Sequence, residues 1–117
     1  MKKYKWHKVA DSVEELHFGS NNLLQLTVDG KKICMAKFND QYHACLSKCP
    51  HAGGNMADGF LDAKGNIVCP LHRYTFNFVN GRDITGEGYF LKVYPVKTGD
   101  EGIFVGIDEG NIFSWIK

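Results

Sequence analysis

From residue 22 to residue 46 apolar residues recur at every second position (Leu24, Leu26, Val28; Ile33, Met35; Tyr42, Ala44, Leu46), interrupted by two short polar breaks. Successive side chains of a strand point to opposite faces, so such alternation marks strands with one face turned inward. The first break, Asp29-Gly30, predicts a two-residue hairpin turn, because the tightest turns require positive φ values that Gly, Asp and Asn adopt readily. The second break, Asn39-Asp40, reads the same way. Strands are therefore expected over 22–28, 31–38 and 41–46. Two-residue turns also fix the pairing. Val28 opposes Lys31, Leu26 opposes Ile33 and Leu24 opposes Met35; across the second turn Met35 opposes Ala44 and Ile33 opposes Leu46. Leu24, Leu26, Val28, Ile33, Met35, Tyr42, Ala44 and Leu46 then share one face, the expected core face of a three-strand meander.

Beyond the meander, turn signals recur at intervals of about eight to twelve residues, the spacing of an all-β sandwich or barrel. A Gly-rich loop (Gly53-Gly54, Gly59, Gly65-Asn66) separates the meander from Ile67-Val68. Further strands are expected at 74–79, 90–96, 103–107 and 112–116, with an Asn80-Gly81 turn after the first. The one helical signal is at 12–16, where Ser12 precedes Glu15 at capping-box spacing. No repeat or linker interrupts the chain, so 1–117 is expected to form a single domain.

Composition narrows the class. A chain of 117 residues with 44% hydrophobic residues can bury a sizeable core. The formal net charge is +1 with lysines and arginines scattered, which argues against a nucleic-acid surface. The Lys-rich start, Lys2-Lys3-Tyr4-Lys5-Trp6-His7-Lys8, reads as a solvated end strand. No apolar run approaches the ~18 residues of a membrane span, and no apolar stretch follows the N-terminal charges as in a secretory signal. The expected compartment is the cytoplasm, where the four cysteines would stay reduced.

Two short clusters carry the chemistry: Cys49-Pro50-His51 and Cys69-Pro70-Leu71-His72, with seventeen residues between His51 and Cys69. Each offers one thiolate and one imidazole, so two loops approaching from opposite sides can hold one metal centre. Zinc is one candidate, but structural zinc sites commonly group their ligands as Cys-x2-4-Cys and His-x3-5-His, and here each pair is mixed. A [2Fe–2S] cluster with thiolates on one iron and imidazoles on the other accounts better for the mixed pairs. That chemistry is electron transfer.

The pattern Cys49-x-His51…Cys69-x2-His72 resembles the Rieske motif. The likeness extends over most of the chain, through Tyr42-His43-Ala44 before the first pair and Leu91-Lys92-Val93-Tyr94-Pro95-Val96 near the end. The resemblance implies a Rieske-like antiparallel β-sandwich or barrel with a small cluster-binding subdomain, residues 47–90, formed by two ligand loops. It implies one [2Fe–2S] cluster, with Cys49 and Cys69 on a buried iron and His51 and His72 on an outer one. Charged thiolates suit the inner position, and neutral imidazoles can present an edge at the surface.

The same resemblance bears on the potential. Two cysteinates leave the oxidised centre neutral, which fits potentials of roughly −150 to +300 mV for His-ligated centres against about −400 mV for plant-type ones. High-potential members add a cysteine after each ligand pair and join them in a disulfide; here Gly54 and Leu71 occupy those places. The serine that donates to a cluster sulfide in those members is replaced by Arg73 and Tyr74. The expectation is a low-potential centre, similar to the soluble ferredoxins that serve ring-hydroxylating oxygenases. Many members cover the cluster with a proline-containing loop. This chain has Gly86-Glu87-Gly88-Tyr89 there, with Tyr89 and Phe90 as candidate cover.

Other residues have plainer readings. Gly53 and Gly54 suit a tight turn, and a bare backbone would also let amides approach sulfur. Pro50 and Pro70 shape the loops. Cys34 and Cys45 oppose each other on the face away from the apolar stripe and are expected to be reduced, partly packed thiols, with the strand carrying Cys45 away from the cluster. His7, His17 and His43 lack partners at ligand spacing, and Trp6 and Trp115 serve packing.

The leading expectation is a one-electron carrier and not an enzyme, taking electrons from a reductase and delivering them to an oxygenase, with both redox partners docking near His51 and His72. It is expected to act as a monomer. Catalysis in cis would need a second iron held by a 2-His-1-carboxylate triad. A Rieske-like small subunit of a nitrite reductase-type complex, or a zinc-stabilised binding module, are the alternatives.

Overall fold

The computed structural model describes residues 3–50 and 53–108. Ten strands run through them: β1 (Tyr4–Ala10), β2 (Leu23–Val28), β3 (Lys31–Phe38), β4 (Gln41–Leu46), β5 (Phe60–Leu61), β6 (Ile67–Val68), β7 (Thr75–Phe76), β8 (Val93–Tyr94), β9 (Val96–Gly99) and β10 (Gly102–Asp108). They form three antiparallel sheets, ordered β1-β10-β9, β2-β3-β4-β8 and β5-β6-β7. The architecture is all-β, as the alternation required.

The meander pairs in the expected register along both hairpins. Asp29 and Gly30 have φ of 52° and 76°, and Asn39 and Asp40 have φ of 50° and 62°. Positive φ at both central positions matches the right-handed twist of the flanking strands, which is why these residue pairs set the register. Val28, Ile33, Met35 and Ala44 are buried, and Leu24, Leu26, Tyr42 and Leu46 pack beside them, against Ile103, Val105 and Ile107 of β10.

The reading of a single core face needs correction. Leu23, Cys34, Ala36 and Cys45 lie on the opposite face and are buried too, in a second cluster with Met56, Ile67, Phe76, Phe78 and Leu91. The central sheet is thus the middle of three layers. The unbroken apolar run Ile33-Cys34-Met35-Ala36 is what a strand covered on both faces requires, and a reading of alternate positions alone overlooks it. Cys34 and Cys45 are therefore fully enclosed and not partly packed. Nor does the strand remove Cys45 from the ligand region, since it shares this cluster with Cys49 and Cys69.

Other boundaries shift for local reasons. The helical signal becomes a single 3-10 turn, Val13–Glu15, in which Ser12 makes no side-chain cap. Glu15 Oε1 instead accepts the Asp11 N–H at 2.7 Å. The strand expected at 74–79 stops at Phe76, because Asn77 Oδ1 accepts the Val79 and Asn80 N–H groups and turns the chain. The strand expected at 90–96 divides at Pro95, which has no N–H for a ladder. β8 pairs with β4, and β9 crosses to pair with β10. The strand expected at 112–116, and Trp115 within it, lie outside the described residues. Trp6 packs as expected, with Lys97 Nζ 4.1 Å above its ring.

Candidate metal centre

Both candidate ligand loops begin with Cys-Pro and close by the same hydrogen bond. The Cys49 N–H donates to the Gly54 carbonyl at 2.8 Å, and the Cys69 N–H donates to the Tyr74 carbonyl at 2.8 Å. The first loop leaves the end of β4 and is drawn in by a Lys48–Asn55 bridge. The second is the connection of the β6–β7 hairpin, flanked by the Val68–Thr75 pair. Tight loops require left-handed backbone, and Gly53 supplies it in the first at φ 72°. In the second, His72 and Arg73 take φ of 62° and 56°, an uncommon state for residues with a Cβ.

The structure brings Cys49 and Cys69 together in the buried cluster between the central sheet and β5-β6-β7, at 1% and 0% exposure. Neither is in a disulfide. The Cys69 thiol is pushed up to about 11, by burial first and by the neighbouring Cys49 thiol, against a Leu71 N–H that favours the thiolate. His72, by contrast, is exposed. His51 lies outside the described residues, and among the described residues no group of three or more metal-binding side chains assembles.

Two enclosed thiols in mutual contact fit a metal-bound pair. Buried without a cation, Cys69 resists ionisation, whereas a coordinated metal takes cysteines as thiolates outright. The position of Gly54 fits as well: a Cβ built there would stand 3.3 Å from Cys69 Sγ, so the sulfur lies against bare backbone.

Apolar side chains surround the loops. Tyr89 packs on Tyr74 with ring centroids 5.7 Å apart, and Phe90 lines a depression of about 470 Å³ with Cys49, Pro50 and Lys92. Both candidate cover residues thus sit beside the loops. Leu71, Tyr89 and Phe90 remain 45%, 37% and 66% exposed.

Sequence reasoning missed the residues that hold the first loop in place. Asn21 Nδ2 donates to the Ala57 and Gly59 carbonyls, each at 3.0 Å, tying the turn before β2 to the segment after the loop. Asn55 Oδ1 accepts the Ala57 N–H at 3.0 Å. Their only signal was asparagine in a turn, which is too common to single out. His43 makes no ligand set; it stacks on Phe78 at 5.5 Å.

Residues 5–95 match the Rieske [2Fe–2S] domain family model. The ferredoxin component of the naphthalene 1,2-dioxygenase system from Pseudomonas aeruginosa is 29% identical over 86% of this chain and 96% of its own length. The corresponding component from Pseudomonas putida is 32% identical over 74% of this chain and 82% of its own. Among solved structures, a putative NADH-dependent nitrite reductase small subunit from Mycobacterium tuberculosis superimposes with TM-score 0.76 at 21% identity, covering 90% of this chain and 96% of that one. The ferredoxin of carbazole 1,9a-dioxygenase from Nocardioides aromaticivorans gives TM-score 0.71 at 23% identity, covering 86% and 95%. At these identities the structural matches speak for the fold. The zinc reading gives way, and this chain belongs to the Rieske [2Fe–2S] domain family.

Proposed function

We propose that this protein is a one-electron carrier, a ferredoxin that takes electrons from a reductase and delivers them to a terminal oxygenase. The observation that carries the reading is the contrast between the two kinds of donor: the Cys49 and Cys69 thiols are enclosed, while His72 stands in solvent. When bound, a [2Fe–2S] group supplies a site for one electron at a time. Cys49 and Cys69 would hold it from within, where Met56, Ile67 and Phe76 exclude water. His51 and His72 would hold it at the rim, within a cluster-binding subdomain spanning residues 47–90.

The surface suits brief docking. Exposed Leu71, Tyr89 and Phe90 lie on or beside the two loops and offer a partner apolar side chains to cover there. Dioxygenase ferredoxin components among the relatives support an oxygenase as acceptor, as do the solved complexes of oxygenase and ferredoxin in carbazole 1,9a-dioxygenase. No helix among the described residues is long and apolar enough to cross a membrane. We place the protein in the cytoplasm as a monomer. The nitrite reductase alternative differs only in its partner.

The test is anaerobic reconstitution followed by a potentiometric titration. Equal iron and sulfide, a red-brown colour and a midpoint toward the lower end of roughly −150 to +300 mV are expected. A midpoint above about +200 mV would refute the low-potential assignment. Reduced protein that supports turnover of a ring-hydroxylating oxygenase, but not of a nitrite reductase, would fix the acceptor class.

A further inference from the structure

Gly54 is a glycine for a reason that lies outside its own backbone. Gly53 beside it has a positive φ, but Gly54 does not. A side chain there would be crowded: a Cβ at Gly54 would stand 3.0 Å from Leu71 Cδ1, 3.1 Å from Leu71 Cγ and 3.3 Å from Cys69 Sγ, so Leu71 would have to give way. These distances are tighter than ordinary van der Waals contact, so the Leu71 side chain occupies the volume a residue at 54 would need. Leu71 sits in the second loop and Gly54 closes the first. The contact therefore joins the two loops directly, where no disulfide does.

We infer that Leu71 is a positioning residue for the proposed centre: its side chain clasps the first ligand loop at Gly54 and shields the Cys69 sulfur from water. The inference rests on Cys69 being a ligand. Leu71 is 45% exposed, and the part of its side chain that is not lies against the bare backbone of Gly54, next to the Cys69 sulfur. Its backbone N–H bonds the same Cys69 sulfur, so main chain and side chain of one residue govern that atom's surroundings. Solvent exposure and hydrogen bonds to sulfur are among the quantities that set the potential of such a centre. Water admitted to the sulfur stabilises the more negative, reduced state, so loss of the shield moves the midpoint up. It also opens the sulfur to attack.

The experiment compares wild type, Gly54→Ala, Leu71→Ala, the double variant and Leu71→Met as cluster-loaded proteins. It measures bleaching by a ferrous chelator and the midpoint potential. In the cluster-free chains, peptide mass reads iodoacetamide labelling of Cys69. Gly54→Ala pushes Leu71 aside and Leu71→Ala removes it, so each accelerates bleaching and labelling several-fold and raises the midpoint. The double variant matches Leu71→Ala alone, because the added methyl no longer meets anything. Leu71→Met, which keeps an apolar cover, stays near wild type. Independent, multiplicative effects in the double variant would overturn the clasp, as would single variants that behave like wild type. If wild type loads no cluster, the ligand assignment fails instead, while the labelling rates still report on the contact.

Discussion

Cys34 on β3 and Cys45 on β4 stand directly opposite each other, both wholly enclosed beneath the ligand loops. Burial pushes the Cys45 thiol well above its ordinary range, and the Cys34 thiol beside it pushes the same way. The thiolate is the reactive form, so Cys45 is held in its unreactive one, and full enclosure keeps reagents from both sulfurs. Iodoacetamide at mildly alkaline pH should leave both unlabelled until denaturant is added. Cys45→Ser should cost about 1–3 kcal/mol in a denaturant melt, since a hydroxyl there is harder to satisfy than a thiol. Rapid labelling of either residue in the native state would contradict this account.

Ser47 presents the opposite case. It is buried, and its hydroxyl finds no partner among the described residues. Its backbone is fully engaged, donating to the Lys32 carbonyl at 2.9 Å and accepting the Met56 N–H at 2.6 Å. Ser47→Ala keeps those bonds and removes an unsatisfied group, so it should be neutral or stabilising by up to about 1 kcal/mol. A urea melt of the variant beside wild type checks it.

Gly59 sets the height of the second ligand loop. A Cβ there would fall 2.0 Å from the carbonyl oxygen of Val68, the residue before Cys69. Backbone cannot yield as a flexible side chain can, so Gly59→Ala should destabilise by about 1–3 kcal/mol or more. It should also weaken cluster retention, measured as residual visible absorption after gel filtration. Normal stability with full retention would show that β5 and β6 can separate freely.

His43 makes stability depend on pH. Burial against Phe78 lowers its pKa below the ordinary histidine value of 6.5. The unfolded chain therefore binds a proton first as pH falls. Stability from this residue is complete above about pH 6.5 and declines below it, until the folded form also protonates. Denaturant midpoints of wild type should fall more steeply between about pH 7.5 and about pH 5.5 (roughly one unit either side of that value) than those of His43→Phe. Parallel curves would remove His43 from the explanation.

The ligand assignment makes a prediction of its own. His72→Cys replaces a neutral donor with an anionic one at the exposed rim. A cluster-loaded variant should shift toward the about −400 mV of all-cysteine centres. An unmoved midpoint would show that position 72 does not touch iron.

Much of this was legible before any coordinates. Asp29-Gly30 and Asn39-Asp40 dictate their turns locally, so the register of β2, β3 and β4 follows from chemistry within two residues of each turn. The mixed Cys and His pairs were equally plain. What the sequence withheld depends on distant packing. The apolar run Ile33-Cys34-Met35-Ala36 marks a strand buried on both faces, but nothing near it tells which sheet covers Cys34 and Cys45. Nothing near Leu71 reveals that its partner is Gly54, seventeen positions earlier. Asn21 was invisible for the same reason, because its acceptors, Ala57 and Gly59, lie across the fold.

The central claim is that sulfur grips the cluster from inside and nitrogen from the edge. Electron–nuclear double resonance on the dithionite-reduced protein, grown with nitrogen-15 histidine, measures this directly. Couplings from two distinct imidazoles, with one set lost in His72→Cys, are the predicted result. A reduced spectrum without histidine nitrogen, or no paramagnetic signal after reconstitution, would contradict it.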